Sequence, residues 1–342
     1  MRLIQFQLSQ KGRRVGLIKD DTVWDLTDVN PNWDRIHRIF FEAQGAGKTI
    51  EDHISGSLLR SSTSNLSYIE LLCRRPGDSW GWVLPPVDHY DPAHCMVMVT
   101  GLTHLGSVSQ RDKMHKDGDS PKTDSQKIFE MGLEGGKPRP GLRGVQPEAT
   151  YKGSGLILRG HNDFLDIPSF AEDGGEEPEI VGCYIIGNDG IAYRVGFAIG
   201  NEWSDHAMER VNYLWVSHSK LRTCAIGPEL VTDQPFKRIE GFCRIFRGSE
   251  LIYDSGELLT GEEHMSHSLA NLEDHYFKYP QFRVPGDVHI YFFGTMKFSF
   301  GSIGPLQDGD KIEIHFSGMG SSLINFVRRI PPDSRPITVR KG

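Results

Sequence analysis

Three glutamates are the residues in this sequence whose types and spacing could do chemistry. Glu177-Pro178-Glu179 runs directly into the apolar stretch Ile180-Val181-Gly182-Cys183-Tyr184-Ile185-Ile186. Strand side chains alternate, so positions i and i+2 point to one face and the two carboxylates converge. Two like charges so placed repel, and a bound cation lets both stay ionised. A third carboxylate, Glu202 in Gly200-Asn201-Glu202-Trp203, ends the next strand candidate, and it completes a three-oxygen face if the two strands pair. Carboxylates without imidazole or thiolate suit a hard ion, Mg²⁺ with Mn²⁺ or Ca²⁺ as alternatives. A small 2-keto acid could chelate such an ion through its keto and carboxylate oxygens, which lowers the barrier to removing a proton from C3. The competing reading is a solvated acidic turn made of Glu176, Glu177 and Glu179. An anionic substrate beside so much negative charge needs cations. Lys220, in Ser217-His218-Ser219-Lys220-Leu221, and Lys152, in Tyr151-Lys152-Gly153-Ser154-Gly155, are the candidates.

The elements that must position these groups are mostly strands. Leu3–Leu8, Arg14–Ile18 and Thr22–Leu26 read as a β-meander, followed by helical spacing at Ile36–Phe41 and Tyr68–Leu72. Pro85-Pro86 marks a boundary, giving a small β-rich N-terminal domain over 1–86 and a catalytic domain over 87–342. Cys95–Gly101 reads as a buried strand delivering a loop. Residues 107–149, rich in Lys, Asp, Gly and Pro with a helical hint at Ile128–Met131, read as a lid. Strands are expected at Gly155–Leu158, Glu179–Ile186, Tyr193–Ile199, Gly241–Phe246 and Lys311–Phe316, and a helix over Glu262–Tyr276. The fold class is mainly β (α+β).

Composition narrows the partners. Within 342 residues, 38 Lys+Arg against 45 Asp+Glu give a net charge of -7, which speaks against nucleic acid. No apolar run approaches the roughly 20 residues of a membrane helix. The N-terminus lacks the apolar core of a secretory signal, so the expected location is the cytoplasm. Five cysteines, Cys73, Cys95, Cys183, Cys224 and Cys243, an odd number without CxxC spacing, point to reduced, mostly buried thiols.

Taken in order, the segments from about Val97 to Phe326 resemble the fumarylacetoacetate hydrolase superfamily. Its Gly-Leu-Asn-Tyr loop matches Gly101-Leu102-Thr103-His104, and its Lys-Pro segment matches Tyr151-Lys152-Gly153. Its Glu-x-Glu-Leu strand matches Glu177-Pro178-Glu179-Ile180, and the segment bearing the third ligand matches Asn201-Glu202-Trp203-Ser204, with Glu for the usual Asp. Its Lys-Ser-Phe and Gly-Thr-Pro segments match Ser219-Lys220-Leu221 and Phe293-Gly294-Thr295-Met296. The resemblance implies a mixed β-roll/sandwich catalytic domain, metal ligands Glu177, Glu179 and Glu202, and a substrate held by Lys152, Gly294, Thr295 and Ser107. It also implies a homodimer or homotetramer.

The family contains hydrolases, decarboxylases, isomerases and dehydratases on one scaffold. Its hydrolases commonly carry a histidine three residues after the loop, where this chain has Ser107, with His104 preceding it. That departure favours chemistry beginning with enolisation. The subgroup resembled most is the bacterial 2-keto-3-deoxy-pentonate dehydratases, which implies 2-keto-3-deoxyarabonate as substrate and 2,5-dioxopentanoate as product. The alternative is a C–C hydrolase or decarboxylase of a diketo or oxaloacetate-like acid. Lys220 is either the base or a substrate-binding cation, with Glu130 or Glu134 as other bases and His104 as a further catalytic candidate.

Two motifs are decoys. Gly45-Ala46-Gly47-Lys48-Thr49 imitates a phosphate loop but has Glu42 where the motif needs glycine and follows a helical run. His264-x-x-His267 lacks a partner signature for a transition metal. Asp205 and His206 read as helix-start or supporting residues.

Overall fold

The computed structural model describes residues 1–59, 63–109 and 122–342, so the middle of the expected lid, 110–121, lies outside the described residues. Two sheets, of twelve and six strands among the described residues, carry the fold. In the larger sheet the meander Arg2–Leu8, Gly12–Lys19 and Thr22–Asp25 joins Cys224–Val231 through Arg2–Leu8, with Arg2 opposite Val231 and Leu3 opposite Leu230. Beyond Cys224–Val231 come Ala192–Ser204, Gly175–Ile186, Val288–Phe292, Cys95–Val99 and the edge strand Thr150–Ser154. Residues 1–86 thus hydrogen-bond directly to the main sheet, and the Glu229 carboxylate adds Arg2 (2.8 Å), the Tyr68 hydroxyl (2.5 Å) and the Ser321 amide (2.9 Å) to that junction.

The smaller sheet, with Ile239–Arg247, Lys311–Phe316 and Leu323–Arg329 at its centre, covers one face of the larger one. Ile180, Tyr184, Phe197, Ile199 and Trp203 pack there with Ile245, Ile312, Ile314 and Leu323. On the opposite face, Val181, Cys183, Ile185 and Ala198 pack with Ile36, Ile39, Phe40, Ile50 and Ile54 from the helices Ile36–Gly45 and Ile50–Leu58. Burial on both faces explains why the strand Gly175–Ile186 is apolar at successive positions after Glu179 instead of alternating, and all twelve of its residues are buried.

Several expected elements take a different form. Gly155–Ile157 is a 3₁₀ turn, and only Leu158–Arg159 is strand. The helix expected over 262–276 begins at Leu269, where Ser268 caps the Asn271 amide. Its first half is not helical because tertiary carbonyls take the amides: Glu262 donates to Phe236 O (3.1 Å) and Ser266 to Thr103 O (2.8 Å). His264 therefore meets Arg238 while His267 meets Asn271. The helical hint at 128–131 extends to Asp124–Gly135, closed by a Thr123/Gln126 capping box. Gly47 (φ +64°) lies in a turn between two helices, not between strand and helix. No helix among the described residues is long and apolar enough to cross a membrane.

Candidate metal centre

The hairpin Gly175–Ile186/Ala192–Ser204 assembles the three glutamates by register alone. Glu177 lies directly opposite Glu202, and Glu179 lies opposite Gly200. Directly opposed residues share a face, as do i and i+2, so all three carboxylates project from the side away from the smaller sheet. One ligand oxygen from each lies within 4.8 Å of the others, and all three residues are buried. Gly200 keeps the crossing tight: a Cβ there would overlap Val181 and come within 2.6 Å of the Phe292 ring. Glu176, one residue out of phase, points to the other face, where it accepts from Ser299 N and Oγ at 2.7 Å each, and burial pushes it up to about 7.

The triad concentrates negative charge in a buried place, which a cation would compensate. Glu179 is held well above the usual carboxylate range, first by burial and then by the negative charges of Glu202 and Glu177, against a hydrogen bond from Gly294 N (2.7 Å). The Lys220 ammonium lies among these charges, donating to Glu177 Oε1 (2.5 Å), to Glu202 Oε2 and to Ser204 Oγ (2.7 Å). His206 contacts the same Glu177 Oε1 through Nε2 (3.1 Å) and stacks on Phe298 with ring centres 4.3 Å apart. Burial works to lower the His206 pKa, but the hydrogen bond and charge of Glu177 outweigh it and raise it. Asp205 caps the helix His206–Val211 by accepting from the Met208 amide. The donor set fits a hard divalent ion: three carboxylates converge, no thiolate joins them, and the adjacent imidazole is turned to a carboxylate.

The other expected site residues are placed as follows. Lys152 is fully buried and donates to Glu202 Oε1, Trp203 O (2.7 Å) and Lys220 O (2.9 Å). Gly294 sits at φ +97°, where a side chain would overlap Thr103 Oγ1, and this conformation aims its amide at Glu179. Thr295, next in the turn, is buried and donates to Lys297 O (2.9 Å). Thr103 ties the Gly101–His104 loop to this turn by donating to Phe293 O (2.8 Å), and Leu102 takes the left-handed conformation (φ 55°).

His104 is buried, its Nδ1 2.9 Å from Thr103 Oγ1 and its Nε2 3.1 Å from Thr260 Oγ1. Burial pushes it down to about 3, so it is neutral at ordinary pH. Ser107 Oγ donates to His104 O (2.9 Å). Glu130 is not brought into the cluster; it pairs with Lys122 (2.8 Å) with its side chain 44% accessible, and Glu134 on the same helix is exposed.

Sequence reasoning did not single out Ser204, which bridges Lys220 and Glu202, or the buried Ser219–Glu209 pair (2.5 Å) beside Lys220. Ser204 had a signal: it is the same-face i+2 neighbour of Glu202 on one strand.

No family model and no curated protein sequence matches this chain. Solved structures do. A 2-keto-3-deoxy-D-arabinonate dehydratase complexed with magnesium and 2,5-dioxopentanoate superposes with a TM-score of 0.67 at 19% identity, over 97% of this chain and 100% of that one. The fumarylacetoacetate hydrolase of psychrophilic Exiguobacterium antarcticum gives 0.58 at 15% identity, over 96% and 100%. A 2-hydroxyhepta-2,4-diene-1,7-dioate isomerase from Mycobacterium marinum gives 0.55 at 15% identity, over 96% and 98%. At these identities the likeness is one of fold, and the chain has the fumarylacetoacetate hydrolase fold that its ordered motifs implied.

Proposed function

We propose that this chain is a divalent-metal-dependent hydro-lyase that dehydrates a 2-keto-3-deoxy sugar acid, converting 2-keto-3-deoxyarabonate to 2,5-dioxopentanoate. The observation that carries the reading is the buried Glu177–Glu179–Glu202 triad with Lys220 among its carboxylates. It is supported by the fold shared with a dehydratase that holds magnesium and 2,5-dioxopentanoate. What a divalent ion held by the three glutamates supplies, magnesium first with Mn²⁺ or Ca²⁺ as substitutes, is polarisation of the keto group and compensation of the substrate's charge.

The chain's own groups do the rest. Lys220 is the proton carrier: as the free amine, with the charge of Glu177 and Glu202 taken over by a divalent ion, it takes a proton from C3 and returns that proton to the C4 hydroxyl, which leaves as water. Tautomerisation of the resulting unsaturated acid gives the terminal aldehyde. Ser204 and Glu209 hold the Lys220 side chain from behind, with Glu209 Oε1 3.9 Å from Nζ. Thr295, in the turn fixed by the Gly294–Glu179 hydrogen bond, binds the substrate carboxylate by turning its hydroxyl away from Lys297 O. A neutral His104 with both ring nitrogens engaged by Thr103 and Thr260 is poorly placed to activate water, which favours elimination over hydrolysis.

The test is incubation with Mg²⁺ and a panel of 2-keto-3-deoxy acids, with products read by mass. A single product lighter by one water supports the reading, and two carbon fragments replace it with a C–C hydrolase.

A further inference from the structure

Lys152 lies on the edge strand Thr150–Ser154, which pairs antiparallel with Cys95–Val99. Their register jumps: Val97 faces Gly153 and Met98 faces Tyr151, so Lys152 is an extra residue with no partner opposite. That is a β-bulge, the device by which a strand re-aims one side chain. Here it turns a lysine inward. Lys152 is 1% exposed whereas its neighbour Tyr151 is 48% exposed.

An ammonium has three protons to donate, and all three are taken by protein. One goes to Glu202 Oε1, one to Trp203 O (2.7 Å) and one to Lys220 O (2.9 Å). The acceptors are a carboxylate of the triad, the main chain of the residue after it, and the main chain of the lysine whose side chain contacts the same carboxylate. Glu202 Oε2 is meanwhile shared by Lys220 Nζ and Ser204 Oγ. Lys152 therefore fixes which way the Glu202 carboxylate is rotated and where the Lys220 backbone sits, and no donor is left for a ligand.

We propose that Lys152 is a positioning residue: the bulge in the edge strand aims its ammonium so that one anchor sets both the third metal ligand, Glu202, and the main chain of Lys220, without contacting substrate. The inference rests on the metal reading above. Outer-shell partners of a metal ligand act through ligand orientation, so their loss weakens the metal by about 10–100-fold.

The experiment titrates Mn²⁺ into chelator-stripped protein, followed by electron paramagnetic resonance, for the wild type, Lys152→Met and Lys152→Gln. It then measures kcat and KM for the 2-keto acid at saturating Mg²⁺. Lys152→Met is expected to weaken Mn²⁺ by about 10–100-fold and to lower kcat, with KM close to the wild-type value. Lys152→Gln keeps part of the stem and two donors, so it carries the test should the methionine variant fail to fold, with a smaller loss in the same direction. A merely structural lysine would lower the melting temperature and the folded fraction while that fraction kept its Mn²⁺ affinity, which overturns the proposal. Unchanged Mn²⁺ affinity with a raised KM also overturns it, in favour of a substrate contact. Both of those results leave the metal reading standing, whereas a wild type that binds no Mn²⁺ ends both.

Discussion

Removing the Lys220 ammonium should destabilise the metal-free protein far more than the metal-loaded one. Its side chain is 5% accessible and contacts Glu177 and Glu202, which are 4% and 1% accessible. Lys220→Met leaves Glu177 buried without its closest counter-charge and leaves Glu202 with Lys152 alone. Breaking a buried pair by deleting one partner costs about 3–5 kcal/mol. An unfolding entropy of about 2.1 cal/mol/K per residue over 342 residues gives about 0.7 kcal/mol/K. The melting temperature in EDTA should therefore fall by about 4–7 °C. Saturating Mg²⁺ should shrink that deficit, because a dication offers the same carboxylates the compensation that the lysine gave. Turnover should nevertheless stay lost, since the proton carrier is gone. Paired thermal melts in EDTA and in Mg²⁺, with activity on the same samples, decide the matter. A variant that melts like wild type in EDTA, or that turns over at a near-normal rate, refutes the reasoning.

Three further outcomes follow from single features of the structure. Gly294→Ala forces a side chain into a left-handed position against Thr103 and shifts the amide that Glu179 accepts from, so stability should drop by more than about 1 kcal/mol and Mn²⁺ affinity should fall with it, measured by denaturant titration and metal titration. Gly200→Ala overpacks the crossing opposite Glu179 against Val181 and Phe292, costing about 1–3 kcal/mol by chemical denaturation, and a neutral result would contradict the close approach. Burial pushes His289 down from its usual 6.5 to about 3, so the unfolded chain takes up a proton below pH 6.5 that the folded one refuses, and stability is lost as pH falls through that window. Replacing His289 with Leu should remove about 1.4 kcal/mol per pH unit from the slope between pH 6 and 5 in denaturation free energies, and an unchanged slope would show that His289 protonates freely in the folded protein.

The Glu-x-Glu spacing was legible because period 2 is a local property of a strand, and Glu202 was reachable because it ends the very next strand candidate. The meander was equally plain from its alternation. Cys224–Val231, Val288–Phe292 and Leu323–Arg329 were not read as strands. The first two are buried throughout, so no alternation marks them, and their places in the sheets are set by partners distant in sequence. The aim of Lys152 could not be read either, because a bulge depends on the register against a strand more than fifty residues earlier, and Tyr-Lys-Gly alone does not reveal which residue goes unpaired. Helical spacing over 262–276 misled in its first half because it ignores the carbonyls of Phe236 and Thr103 that capture those amides.

The account turns on whether three carboxylates from one hairpin share a single hard cation. Crystals soaked in Mn²⁺ and measured for anomalous scattering test that directly. The expected map has one strong peak bounded by oxygens of Glu177, Glu179 and Glu202, absent from Glu179→Gln crystals. A map with no peak between those oxygens, or with manganese held by other residues, would contradict the account.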